Sequence, residues 1–124
     1  MEPGQLLFSL LSQAPAVTAL VGTRIYPVRI PAGKPRPAIA YQLVGDATAS
    51  LADCPDNERP RVQVSLFADS YETLSALARA VKTTLHGHRT GQLTIDYENG
   101  IDQVDDAAAC LLRVQDYTFD FPAA

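Results

Sequence analysis

The stretch 61–87 joins an alternating strand directly to an amphipathic helix, and no other part of the chain constrains the fold as tightly. Val62, Val64, Leu66 and Ala68 share one parity. Arg61, Gln63, Ser65 and Asp69 share the other, the pattern of a sheet covered on one face and solvated on the other. Phe67 breaks that pattern. From Tyr71 the apolar residues become Leu74, Leu77, Ala78, Val81 and Leu85, whose spacing by three and four lines one helical stripe. Asp69 stands at the expected N-cap, with Glu72 three residues on as its capping-box partner, and Gly87 supplies a left-handed stop after Leu85-His86. This unit carries no nucleophile, metal cluster or phosphate loop, which points to a protein that works through a surface rather than a pocket.

A chain of 124 residues, 47% hydrophobic, is expected to form one domain over residues 1–124 with a single core. Its net charge of −4 and pI near 4.9 disfavour nucleic acid as a partner, because binding phosphates requires a Lys/Arg-rich face. The ten basic residues are dispersed, apart from a local excess between Arg24 and Arg36 that prolines break into a loop. Cys54 lies in a polar loop and Cys110 in an apolar strand; no disulfide is expected, and two lone thiols suit a reducing cytosol. The N-terminal run has an acidic start and interrupted apolar residues, so it reads as neither a signal peptide nor a membrane span.

Leu6, Leu7, Leu10 and Leu11 predict a first helix over 3–13. Pro15 interrupts it, and a further helical turn or two ends at Gly22. Prolines make 27–37 a loop, after which Ile39, Tyr41 and Leu43 mark one face of a strand. The segment 45–60 is polar and reads as a long exposed loop or flexible hairpin. It is mobile in the free chain on this reading and is the best candidate for a partner-contacting arm. Leu93-Thr94-Ile95-Asp96-Tyr97-Glu98 alternates as a strand, and Asn99-Gly100 predicts a tight turn after it. The last strand, 111–121, has Leu111, Tyr117, Phe119 and Phe121 on one parity and Leu112 and Val114 on the other, so either its first half is covered on both faces or a bulge shifts its register.

No group of residues reads as a catalytic, cofactor-binding or metal-binding set. His86 and His88 lie in a Gly-containing turn with no further ligand at zinc spacing, and they suit a helix C-terminus better than a metal. Asp102, Asp105 and Asp106 lack the order of a calcium loop and read as a solvated acidic turn. Ser65, Ser70 and Ser75 have no neighbouring base. Asp116 and Asp120 fall on one strand face roughly 13 Å apart, too far for a glycosidase pair. Tyr26, Tyr41 and Tyr71 read as core-rim residues.

The order of blocks nevertheless resembles a known family. Ala16-Val17-Thr18-Ala19-Leu20-Val21-Gly22-Thr23-Arg24-Ile25-Tyr26-Pro27 is followed by a Pro-led strand ending Tyr41-Gln42, and then by Arg61-Val62-Gln63-Val64 with Ala68 and Tyr71. Leu77-Ala78, Leu85-His86-Gly87 and Arg113-Val114-Gln115-Asp116-Tyr117-Thr118-Phe119 complete the series. In that order and spacing, over nearly the whole chain, the sequence resembles the small tail-completion proteins of long-tailed bacteriophages and prophages; it departs from them in 45–60. The resemblance implies an α+β domain of tail-terminator type, with a mainly antiparallel or mixed β-sheet and helices packed on one face. It also implies a non-enzymatic structural subunit without cofactors that completes the tail and joins it to the head. The implied partners are head-tail connector and tail tube proteins, with neither nucleic acid nor membrane among them. The implied assembly is a hexameric ring in the virion from chains that are monomeric when isolated. The implied location is the host bacterial cytoplasm during assembly and then the virion tail.

A cytoplasmic α+β protein- or ligand-binding module unrelated to phage fits the composition as well. A small hydrolase would require His88, an aspartate and a serine to converge in space. On any of these readings the core is expected to hold Leu10, Ile39, Tyr41, Val62, Val64, Leu66, Leu74, Leu77, Val81 and Leu85. Replacing Leu77 with Ala is expected to cost about 2–5 kcal/mol in denaturant unfolding. An unchanged unfolding free energy would remove Leu77 from the buried stripe.

Overall fold

The computed structural model describes residues 3–48, 58–90, 93–105 and 110–120. Two short helices open the chain, α1 (Pro3–Ser12) and α2 (Pro15–Val21), followed by strand β1 (Ile25–Pro27). Next come β2 (Ala38–Thr48), β3 (Glu58–Ala68), the long helix α3 (Tyr71–Leu85), β4 (Arg89–Thr90), β5 (Leu93–Asp105) and β6 (Cys110–Asp120). Pro15 sits in the first turn of α2, where its missing N–H costs nothing, and the chain bends by 84° between α1 and α2. Among the described residues no single helix is long and apolar enough to cross a membrane. The apolar residues of α1 and α2 instead turn inward, with Leu7, Leu11, Val17 and Val21 fully buried.

Helix α3 starts at Tyr71 as its stripe predicted, but its cap is not Asp69. Ser70 is its N-cap, with Oγ accepting the Thr73 N–H at 3.2 Å, while Asp69 accepts from Arg36 Nε at 2.7 Å. The Asp69–Glu72 capping box therefore does not form, because Asp69 is drawn into a long-range ion pair and the adjacent hydroxyl fills the cap. At the other end Gly87 adopts φ +79°, the left-handed stop expected there, and its N–H donates to the Ile95 carbonyl at 2.8 Å.

The six strands form one mixed sheet in the order β1-β2-β3-β6-β5-β4. Only β1 and β2 run parallel; every other pairing is antiparallel. The ladder of β2 and β3 runs on to Thr48 opposite Glu58, with a register shift between Leu43 and Gly45. Of the segment expected as a long loop or hairpin over 45–60, residues 45–48 and 58–60 form a paired two-stranded arm, and residues 49–57, Cys54 among them, lie outside those described. The Asn99-Gly100 turn is also corrected. β5 passes straight through it, shifts register between Tyr97 and Asn99, and pairs with β6 as far as Asp105 opposite Cys110. Of the two readings of the last strand, the bulge sits in its partner β5, while Leu111 to Val114 in the first half of β6 are each half-buried; Phe121 lies outside the described residues.

All three helices pack on one face of the sheet. Val62, Val64, Leu66 and Ala68 meet Leu74, Leu77, Ala78, Val81 and Leu85 in a core completed by Ile39, Ile95, Tyr117 and Phe119. Leu10 and Tyr41, both expected in the core, are only partly buried at its margin, since the stripe of α1 turns on Leu7 and Leu11 instead. Among the described residues one polar side chain is buried. Gln115, 2% exposed, accepts the Tyr117 hydroxyl at 2.8 Å and donates to the Ala78 carbonyl of α3 at 3.3 Å. Burial pushes the Tyr117 phenol well above the usual tyrosine range, with Tyr97 nearby adding to the effect, so it remains a neutral donor. Tyr117→Phe should leave the Gln115 oxygen without that donor and lower stability by about 1–3 kcal/mol, measurable by denaturant unfolding.

Candidate functional site

The long β5–β6 pairing creates a polar cluster that the sequence did not announce. Asp102 and Arg113 face each other across the two strands, beside Tyr71 at the start of α3. Arg113 Nε donates to Asp102 Oδ1 and its Nη2 donates to Asp102 Oδ2 at 3.3 Å and to the Tyr71 hydroxyl at 3.1 Å. The hydroxyl in turn donates to Asp102 Oδ2 at 3.3 Å, and the guanidinium lies 5.6 Å from the Tyr71 ring centroid. The hydrogen bond from Arg113, backed by its charge, holds the Asp102 carboxyl below the ordinary range, and Asp102 raises Arg113 in return.

This cluster closes one end of an open cleft of about 610 Å³ between α3 and β5–β6. Ser75, Arg79, Lys82, Tyr97 and Gly100 line its remainder. Lys82 Nζ lies 4.3 Å from the Tyr97 ring centroid, and that ring meets Tyr117 edge-on at 5.5 Å. Gly100 is required here for space: a Cβ on it would run into the Tyr97 hydroxyl. The one carboxylate in the cleft is held ionised by Arg113, which makes it a poor proton acceptor, so Ser75 has no effective base among its neighbours there.

The other sequence candidates are scattered. Ser65 lies on the open face of β3, Ser70 caps α3, and His88 follows the far end of that 15-residue helix. Ser70 and His88 are therefore roughly 22 Å apart along the helix and do not meet. His86 Nδ1 accepts the Tyr97 N–H at 2.9 Å, which fastens the end of α3 to β5. Among the described residues no three His, Cys, Asp or Glu side chains gather as a metal site. Asp116 and Asp120 follow the open-face parity of β6, and Asp106 lies outside the described residues. Tyr26 is half-buried in β1 and Tyr41 packs near Phe8, ring centroids 6.4 Å apart, both as rim residues; Tyr71 is exposed and belongs to the Arg113 cluster.

A second surface lies on the opposite face. After Pro27 the Val28 N–H donates to the Tyr41 carbonyl at 2.7 Å, and Val28 then takes φ +69°, an unfavourable conformation for a β-branched residue. That turn folds 28–36 over the open face, leaving a groove of about 360 Å³ with Ala40, Phe67 and Cys110 in its floor and Arg29 and Lys34 on its wall. Arg24 pins the loop from behind, donating to the Pro37 carbonyl at 2.9 Å and to the Leu20 carbonyl at 3.3 Å.

Neither surface is an assembled catalytic centre, and comparison with known proteins supplies the class. Residues 5–117 match the family model described as Tail completion protein gp17. The chain belongs to that family of phage structural proteins. The fold is similar to a chain in the structure titled "Virion of native gene transfer agent (GTA) particle", with a TM-score of 0.70, 20% identity, and coverage of 92% of this chain and 90% of that one. No curated protein matches. Family membership overturns the alternative of a module unrelated to phage.

The Asp102 cluster can be tested directly. Its carboxyl should titrate below the ordinary carboxylate range by NMR, and Arg113→Gln should return it toward that range. Because the folded-state value is depressed, the stability it contributes is present above the ordinary carboxylate value and is lost as the pH falls through the lower, folded-state value.

Proposed function

We propose that this protein completes the phage tail and joins it to the head as one subunit of a ring, without catalysing a reaction. The match to the tail-completion family over 5–117 carries this reading. The molecule supports it in physical terms. Its helices spend their apolar stripes on one sheet face, its most evident cleft lacks an activated nucleophile, and its remaining features are strand edges, a two-stranded arm and exposed loops. Such features suit contact with like or unlike subunits. On this reading its partners are head-tail connector and tail tube proteins, not nucleic acid or membrane. The ring is hexameric and closes on the tail, while the isolated chain is monomeric. The protein acts in the host bacterial cytoplasm during assembly and remains in the virion tail.

Deleting the gene should leave filled heads and separate tails in electron micrographs of the lysate, and the wild-type gene supplied in trans should restore joined particles. Joined particles at normal yield in the deletion strain would reject the proposed role.

A further inference from the structure

The two ends of the sheet are chemically opposite. On one side β1 is only three residues long and ends in Pro27, so beyond Tyr41 the outer side of β2 has no strand against it among the described elements. Leu43 and Val44 are exposed there, Val44 to 49%, and Val28 is 66% exposed on the neighbouring loop. Arg24, Arg29, Lys34 and Arg36 all belong to 24–36, a stretch with no acidic residue. On the other side β4 covers only the first two residues of β5, so the outer side of β5 from Glu98 to Asp105 likewise has no strand against it among the described elements. Ile101 and Val104 are 51% and 64% exposed on this edge. Exposed Asp96, Glu98 and Asp102 belong to the same strand, and β5 has no basic residue at all.

We propose that these edges are the two halves of one interface between copies of this chain. The acidic β5 edge of one subunit docks along the β2 edge and basic 28–36 loop of the next. The proposal rests on the ring reading above and assigns its contact surfaces. Each side offers unpaired backbone groups and exposed apolar side chains, and the basic residues of the 28–36 loop stand against the acidic residues of β5, so the match covers hydrogen bonding, burial and electrostatics together. Three strand spacings separate β2 from β5, roughly 14 Å, and their open sides face away from each other, so one molecule cannot satisfy both itself. A twofold dimer would set each edge against its own like charge. Contact between unlike edges is head-to-tail, the arrangement that generates a ring when the rotation closes.

Charge reversal tests the pairing in the complete protein. Arg29→Glu with Lys34→Glu makes both edges acidic, and Asp96→Lys with Glu98→Lys adds positive charge to the β5 edge. All four residues are exposed and lie outside the Asp102 cluster and the core. In the deletion strain each double variant alone should lower the yield of joined particles at least about a hundredfold, because like charges then face each other at every junction. Supplying both variants together should restore the yield to within about threefold of wild type, as acidic and basic chains alternate around the ring. An unfolded variant cannot rescue the other, so recovery in the mixture also establishes that both fold. Full yield from either variant alone, or no recovery from the pair, would overturn the edge assignment. Restoration by the wild-type gene tests the tail-joining role separately.

Discussion

Everything in this molecule depends on the burial of one face of α3 against the central strands. Leu74, Leu77, Ala78, Val81 and Leu85 are all buried, set against Val62, Val64, Leu66 and Ala68 of the strand that precedes the helix. A 15-residue helix is marginal alone in water, so its stability comes mainly from this contact. Each large aliphatic side chain contributes roughly 1.5–3 kcal/mol on full burial. The contact also selects the handedness of the whole fold, because only one sheet face is apolar enough to receive helices. β6 and β5 extend that face with Tyr117, Phe119 and Ile95, and α1 and α2 close its margin.

Hydrophobic burial alone permits sliding, and the buried Gln115 opposes it. Its amide N–H donates to the Ala78 carbonyl in the middle of α3 while Tyr117 of the same strand holds its oxygen, and the bond to α3 is satisfied only in one helix register. The Tyr71–Asp102–Arg113 cluster fixes the start of the same helix, and the His86–Tyr97 hydrogen bond fixes its end. All three ties reach the β5–β6 pair. The long hairpin is therefore held rigidly along α3, although from Glu98 onward its outer edge carries no further strand among the described elements.

The parts of the fold legible in the sequence are those where periodicity and burial agree. The β3–α3 unit is the clearest case: its alternation, its stripe and its Gly87 stop all appear as read. The β5–β6 pairing was not legible, because Asn99-Gly100 has the strongest local turn chemistry in that region. A turn there would have set Asp102 opposite Tyr97. Instead Gly100 serves a close approach, lying beneath the Tyr97 hydroxyl, while the register shift absorbs the odd residue. Tertiary packing of Tyr97 on Tyr117 and Lys82 outweighs the local preference. With the register hidden, the Asp102–Arg113 pair was hidden too, since only the continued β5–β6 ladder sets the two residues opposite each other. The Ser70 cap failed to show for a related reason: Asp69 is an equally good cap locally, and only its ion pair with Arg36, distant in sequence, removes it.

An exposed strand edge is hazardous, because it can pair with any extended chain, and this fold limits the hazard differently on its two sides. Pro27 removes a donor from β1 and shortens that edge, while the basic 28–36 loop guards the groove beside it. Along β5 the guard is negative charge on Asp96 and Glu98. Charges of one sign repel a second copy of the same edge, so they block indiscriminate sheet extension and twofold pairing alike. They do not block an edge of opposite charge. On the ring reading proposed above, a subunit that stays unassociated until its partners are in place and then closes a ring in one direction needs that selectivity. Opposite guards at the two ends of a single sheet provide it without any conformational switch.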